Sequence, residues 1–355
     1  MRRFGTFASL AVGWVPAASG GARGEDVNTQ RRTGPLGNES VADPNLRLWY
    51  RQPAALWNQA LPVGNGRLGA MAHGGVEQEL LQLNEETVWS GNQSDFDRVG
   101  AHRHLPEIRR LLFAGRHAEA EALVAKELLG SRPLGAYQPL GDLILKFSGA
   151  ADFSDYHREL DLDTAIARVR FRQGDAVFTR EVVASAPAQV LVVRLTCDRP
   201  GRLSLTARLS RKEGAITETL GNDGLVLRGQ ADQGRPTAGV RFAAQLRAVV
   251  EGGRWRCADG ALHIESADAV TLLLSAATDF RQPSDLSAEN ARRLAAAAPR
   301  GFDALRAEHV ADYRRLFRRV ELDLGHSAAE SLPTDERLER LKAGGADPGL
   351  AALYL

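Results

Sequence analysis

The sequence predicts a mainly β protein built from two packed antiparallel sheets, with a small helical insertion at about 101–130 and a C-terminal α-helical stretch. Three observations carry this. From Leu140 to Ala276 short apolar-polar alternations follow one another, separated by turn residues. Before them, residues 105–129 repeat at helical spacing, and near Ser287 the period lengthens again. Many short strands with no helix between them argue for a sandwich.

In chain order, residues 1–45 show neither period. Arg2 and Arg3 precede a fairly apolar run, and Ala17, Ala18, Ser19 and Gly20 follow it. This is the layout of a secretory signal peptide, so export is expected, as a secreted or periplasmic protein. An unstructured extension on a cytoplasmic protein is the alternative. Residues 20–45, rich in Gly, Asn and Arg, read as a flexible leader. Order is expected from Leu46, where Leu48, Trp49 and Tyr50 begin an apolar segment.

Leu105, Ile108, Leu111 and Leu112, then Ala118, Ala122, Leu123 and Leu128, mark two short helices interrupted by Gly115, with Gly130 placed to end the second. Ala167, Val169 and Phe171 alternate with Arg168, Arg170 and Arg172, the pattern of a strand with one wet face. Gly174-Asp175 turns the chain. Strands are expected over 176–183, 190–196, 203–209, 225–228, 240–250, 262–266 and 270–276, divided by Pro200-Gly201, Asn222-Asp223-Gly224, Gly252-Gly253 and Asp259-Gly260. Phe302, Leu305, His309, Tyr313, Leu316 and Val320 then form a helical stripe, read as a packing face with His309 packed or hydrogen-bonded at its edge. Residues 321–324 suit a short strand. Thr334 is a suitable N-cap for a helix ended by Gly344 and Gly345, and Asp347-Pro348 opens another. That last helix runs apolar from Leu350 to Leu355 and needs a packing partner, so the chain is expected to stop within a larger helical structure.

Composition removes several function classes. Net charge is +1, which gives no field for nucleic acid or an anionic membrane, and no apolar run reaches a membrane-spanning length of about 18 residues. No HExxH, P-loop or GxSxG motif is present. His102 and His104 lack further ligands in a legible pattern, so they read as solvated side chains, and neither a metal nor a cofactor is expected. Cys197 and Cys257 are too few for a disulfide framework; they either pair or, the favoured reading, stay single.

Two long motifs then narrow the field. Trp57-Asn58-Gln59-Ala60-Leu61-Pro62-Val63-Gly64-Asn65-Gly66-Arg67-Leu68-Gly69-Ala70-Met71 is followed by Leu83-Asn84-Glu85-Glu86-Thr87-Val88-Trp89-Ser90-Gly91. With Gly135-Ala136-Tyr137-Gln138-Pro139-Leu140-Gly141-Asp142 and Asp312-Tyr313-Arg314-Arg315-Leu316-Phe317, they closely resemble glycoside hydrolase family 95, the α-L-fucosidase family with related α-L-galactosidases. The resemblance runs collinearly over about 46–355. It implies a β-supersandwich (46–285), then a helical linker and the start of an (α/α)6 barrel (286–355). It also implies inverting hydrolysis by a carboxylic acid and a water that a second acid activates through asparagines. Those residues belong to barrel motifs past Leu355, so no catalytic residue is carried onto this chain.

The local chemistry agrees. Inverting hydrolysis needs two carboxyl groups roughly 6.5–9.5 Å apart, whereas the adjacent Glu85 and Glu86 on a strand point to opposite faces. The segment from Leu61 to Ala70, with Gly64, Gly66 and Gly69, reads as a shaped loop. Asn65, Arg67, Asn84, Glu85 and Trp89 are the candidate site residues: they either edge a sugar-binding mouth or pin the sandwich to a barrel at the domain junction or to itself, the second being favoured. The expected function is an accessory domain of a fucosidase-like hydrolase acting on fucosylated glycans, inactive alone and in contact with a catalytic barrel. A free-standing carbohydrate-binding module, with Trp57, Trp89 and Trp255 as a stacking platform, is the alternative.

Overall fold

In the computed structural model, which describes residues 46–91, 97–129, 135–149, 152–232, 239–281 and 285–354, the alternating segments pair into two antiparallel sheets. The expected leader and Gly130 lie outside the described residues.

Numbering strands in chain order, the nine-stranded sheet runs β1 (Arg47–Tyr50), β6 (Ser154–Asp161), β7 (Ile166–Gln173), β8 (Ala176–Ser185), β9 (Val190–Cys197), β16 (Ala269–Thr278), β13 (Arg241–Glu251), β12 (Gly224–Gln230) and β11 (Ala215–Leu220). The seven-stranded sheet runs β14 (Arg254–Ala258), β15 (Ala261–Ala267), β10 (Leu203–Ser210), β5 (Gly141–Phe147), β4 (Gln78–Glu85), β3 (Leu68–Ala72) and β2 (Leu61–Gly64). The β-supersandwich is therefore present.

The inward halves of both sheets share one core. Leu81, Leu143, Leu145, Leu191 and Leu272 are wholly buried in it, and each such side chain stabilises by roughly 1.5–3 kcal/mol. Alternation fails in β9 and β16, where both faces are buried. The reason is a second layer: α3 (Leu286–Ala297) and α4 (Gly301–Phe317) lay Leu294, Ala297 and Leu305 over Val190, Val192 and Leu273 on the outside of the nine-stranded sheet. Asp285 caps α3 by accepting from the amides of Ser287 and Ala288. Fully buried Asn290 fixes it to the sheet, donating to Ala243 O and accepting from Ser275 Oγ, both at 2.9 Å.

The insertion forms α1 (Leu105–Phe113) and α2 (His117–Glu127), broken at Gly115 (φ 71°), with a small core of Ile108, Leu111 and Ala120. His102 is exposed, and His104 lies 3.7 Å from Glu127. Cys197 and Cys257 are free, half-buried thiols.

Four expectations need correcting. Residues 61–70 are not a shaped loop but the hairpin of β2 and β3, whose glycines hide its alternation. Thr334 does not cap: it opens α5 (Thr334–Lys342), and its hydroxyl accepts from the amide of Trp49 at 3.0 Å. Residues 321–324 form no strand, because neither sheet offers them a partner; Leu322 and Leu324 are exposed. The α4 stripe buries Leu305 and His309, yet Leu316 faces solvent, and the helix ends at Phe317, so that Val320 lies beyond it and is exposed. As expected, Gly344 (φ 89°) follows α5, and Asp347 caps α6 (Pro348–Tyr354) by accepting from Leu350 N. Asp347 also takes a buried two-pronged contact from Arg337 at 2.7 and 2.8 Å. Leu350 is buried, Leu353 half-buried and Tyr354 exposed; Leu355 lies outside the described residues.

Candidate functional site: an inter-sheet clasp beside a polar groove

The β2–β3 turn sets the site. Asn65 accepts from the amides of Arg67 and Leu68 through its side-chain oxygen, at 3.1 and 2.8 Å, which fixes a tight turn around Gly66 (φ 87°). Its side-chain nitrogen donates to Ser185 O on the opposite sheet at 3.0 Å. Arg67, thus presented, reaches across as well: Nη1 donates to Ala276 O at 2.7 Å and Nε to Gln189 Oε1 at 2.8 Å. Burial and, next, the nearby Arg293 lower the Arg67 pKa, while Glu85 works to raise it.

Glu85 ends β4 facing inward, 2 % exposed, with Oε1 3.5 Å from Arg67. Its other oxygen accepts from Thr87 N at 2.8 Å and Thr87 Oγ1 at 2.6 Å. Glu86 points outward and pairs with Arg281 at 3.0 Å. The two acids therefore address different spaces. Asn65, Arg67 and Glu85 form a clasp between the sheets.

Asn84 and Trp89 stand apart from that clasp. Asn84 is exposed on the outer face of the seven-stranded sheet. Trp89 donates its indole N–H to Glu86 O and meets Tyr137 edge-on at 5.8 Å between ring centroids. Trp255 lies on β14, the edge opposite β2, so the three tryptophans do not make one platform.

Beside the clasp, the outer face of β2, β3, β4 and β5 floors a groove of about 940 Å³. Register aligns Pro62, Met71, Gln82 and Asp142 in one row across it, and Gly64, Gly69 and Asn84 in a second. The paired glycines leave the second row low. Trp57 and Tyr137 stand in the walls, 62 % and 44 % exposed. Burial pushes the Asp142 carboxyl up, against an opposing pull from His73. Sequence alone offers Trp57 for stacking but misses Gln82 and Asp142, whose one available signal is outward alternation in β4 and β5.

With this geometry the comparisons fall into place. Residues 48–283 match the family described as glycosyl hydrolase family 65, N-terminal domain, and residues 301–355 match the glycosyl hydrolase family 95 catalytic domain. The chain therefore belongs, over most of its length, to the glycosyl hydrolase family 65 N-terminal domain family. More particularly, its C-terminal stretch matches glycoside hydrolase family 95, the family its motifs resemble. It is 32% identical over 344 residues to "Alpha-L-fucosidase 2" of Arabidopsis thaliana, covering 87% of this chain and 40% of that protein. It is 28% identical over 337 residues to "Probable alpha-fucosidase A" of Aspergillus niger, covering 85% and 40%. The chain thus spans about 40% of the length of these curated relatives. Among solved structures, "Putative kojibiose phosphorylase from human microbiome" aligns with a TM-score of 0.49 at 10% identity, over 82% of this chain and 40% of that one.

Proposed function

We propose that this chain is the sandwich portion of an α-L-fucosidase-like glycoside hydrolase acting on fucosylated glycans, that it supports a catalytic (α/α)6 barrel, and that it does not itself cleave the glycosidic bond. The observation that carries the reading is the state of Glu85. Inverting hydrolysis asks for two carboxyl groups opening on one substrate space, and Glu85 is turned inward and committed to Thr87 and Arg67. Of the three carboxylates lining the groove, Asp142 alone is half-buried, while Glu213 and Asp232 are exposed. The fucosidase relatives support the substrate class, and the Arg2-Arg3 start with its apolar run supports export.

The test is turnover of an aryl α-L-fucoside by this chain. No release of the aryl group is expected, and Glu85→Gln should change only stability. Turnover that disappears in Glu85→Gln would end the accessory reading.

A further inference from the structure

We propose that the groove on the outer face of the seven-stranded sheet is a binding site for a neutral oligosaccharide. This goes beyond the accessory role and does not depend on which glycosidic bond a family 95 enzyme cuts.

Three observations point to a sugar. First, the groove combines two exposed aromatic faces, Trp57 and Tyr137, with a floor of amides and one carboxylate. A pyranose offers that same mixture: an apolar face of C–H groups to lie on a ring, and a rim of hydroxyls that both donate and accept. Second, the polar groups of the groove have unspent capacity. Asp142 makes no side-chain hydrogen bond or ion pair among the described residues, although it is half-buried. Gln82 has its oxygen 2.9 Å from His73 Nε2, which leaves its amide donors for a ligand. Gln138, 2 % exposed in the wall, accepts from Arg211 at 2.6 Å, while its side-chain nitrogen has no partner. Leaving the buried Gln138 donor unmade costs free energy, so a ligand that meets it is favoured. Third, the volume lies at the upper end of the range for small-molecule sites, about 300–1,000 Å³, enough for more than one ring.

The fold keeps the floor open at Gly64. A Cβ there would meet its nearest atoms, Leu68 O and the Gly69 Cα, only at 3.9 and 4.0 Å. A side chain at this position is therefore accommodated by the strand and projects into the groove. This separates loss of binding from loss of fold.

The test is titration of the full chain with fucosyllactose, lactose and cellohexaose, followed by calorimetry and by amide chemical shifts. At least one sugar should bind saturably, with Kd below about 1 mM. Trp57→Ala and Gly64→Val should each weaken that sugar about tenfold or more, a loss of the size of one stacked contact. Asp142→Asn should weaken it too, while Trp255→Ala on the far edge leaves it unchanged. Unchanged melting temperatures show that the groove variants are folded. Absence of saturable binding by all three sugars would overturn the proposal, as would binding indifferent to Gly64→Val and Trp57→Ala. A wild-type dimer that Gly64→Val converts to monomer, without sugar binding, overturns it in favour of a self-association face. Failure here leaves the fucosidase reading standing, because that reading is tested by turnover.

Discussion

Arg67 donates to Ala276 O and Gln189 on one sheet while lying 3.5 Å from Glu85 on the other. Its removal strips two carbonyl-type acceptors of a charged donor and leaves Glu85 buried without its cation. Hydrogen bonds to charged groups contribute about 1.5–3 kcal/mol, so Arg67→Ala should lower stability by about 2–4 kcal/mol in urea unfolding at neutral pH. Glu85→Gln keeps size and one acceptor and should cost less. An unchanged urea midpoint for Arg67→Ala would show that the clasp holds nothing. At this scale the sequence marked Asn65, Arg67 and Glu85 but left open whether they face sugar or protein. The choice depends on Ser185, Gln189 and Ala276, which lie more than 100 positions away in the chain.

At the scale of elements, the β2–β3 hairpin shows what pattern reading catches and what it loses. Strands such as β7 and β10 were legible, because one face is apolar and the other wet. The β2–β4 segment was not. Gly64 and Gly69 blank the outward positions of the hairpin, and β4 puts Glu79 and Glu85 inward. Those buried acids are tolerated because Arg180 and the amides of His73 and Gly74 meet Glu79, while Thr87 and Arg67 meet Glu85. The hairpin turn itself yields a sharp expectation. Gly66 has φ 87°, and a Cβ added to it would meet nothing within 4 Å, so Gly66→Ala carries backbone strain and no clash. It should destabilise by about 1–2 kcal/mol, read as a shift in thermal midpoint, and a neutral effect would mean that the turn relaxes.

On the whole-molecule scale, α4 is tied to the β6–β7 turn by His309, whose Nε2–H donates to Thr164 O at 2.9 Å, and by Asp163, which receives Arg314 and Arg318. Burial is the main reason that the His309 pKa falls below its ordinary value, with the backbone contacts opposing it. A depressed histidine pKa means that the unfolded chain takes up a proton first. Its contribution to stability is therefore complete above about pH 6.5 and is lost as pH falls from there through the lower folded value. Asp163, held below the usual carboxylate range first by its Arg318 hydrogen bond, keeps its contribution until pH drops below about 3.9. Thermal midpoints should thus decline as pH falls below about 6.5, and less steeply in His309→Gln, which can still donate to Thr164. Equal slopes would remove His309 from the account.

The sequence by itself determined the two period changes, the antiparallel strands with their turns, the paired helices of the insertion and, through its long motifs, the family. These are local or collinear signals, written in neighbouring residues. Tertiary structure decided which sheet each strand joined, that helices cover β9 and β16, that Thr334 serves Trp49 instead of its own helix, and that Gln82 and Asp142 share a groove with Trp57. Each of those outcomes depends on contacts between residues far apart in the chain, and side-chain periodicity carries no record of them.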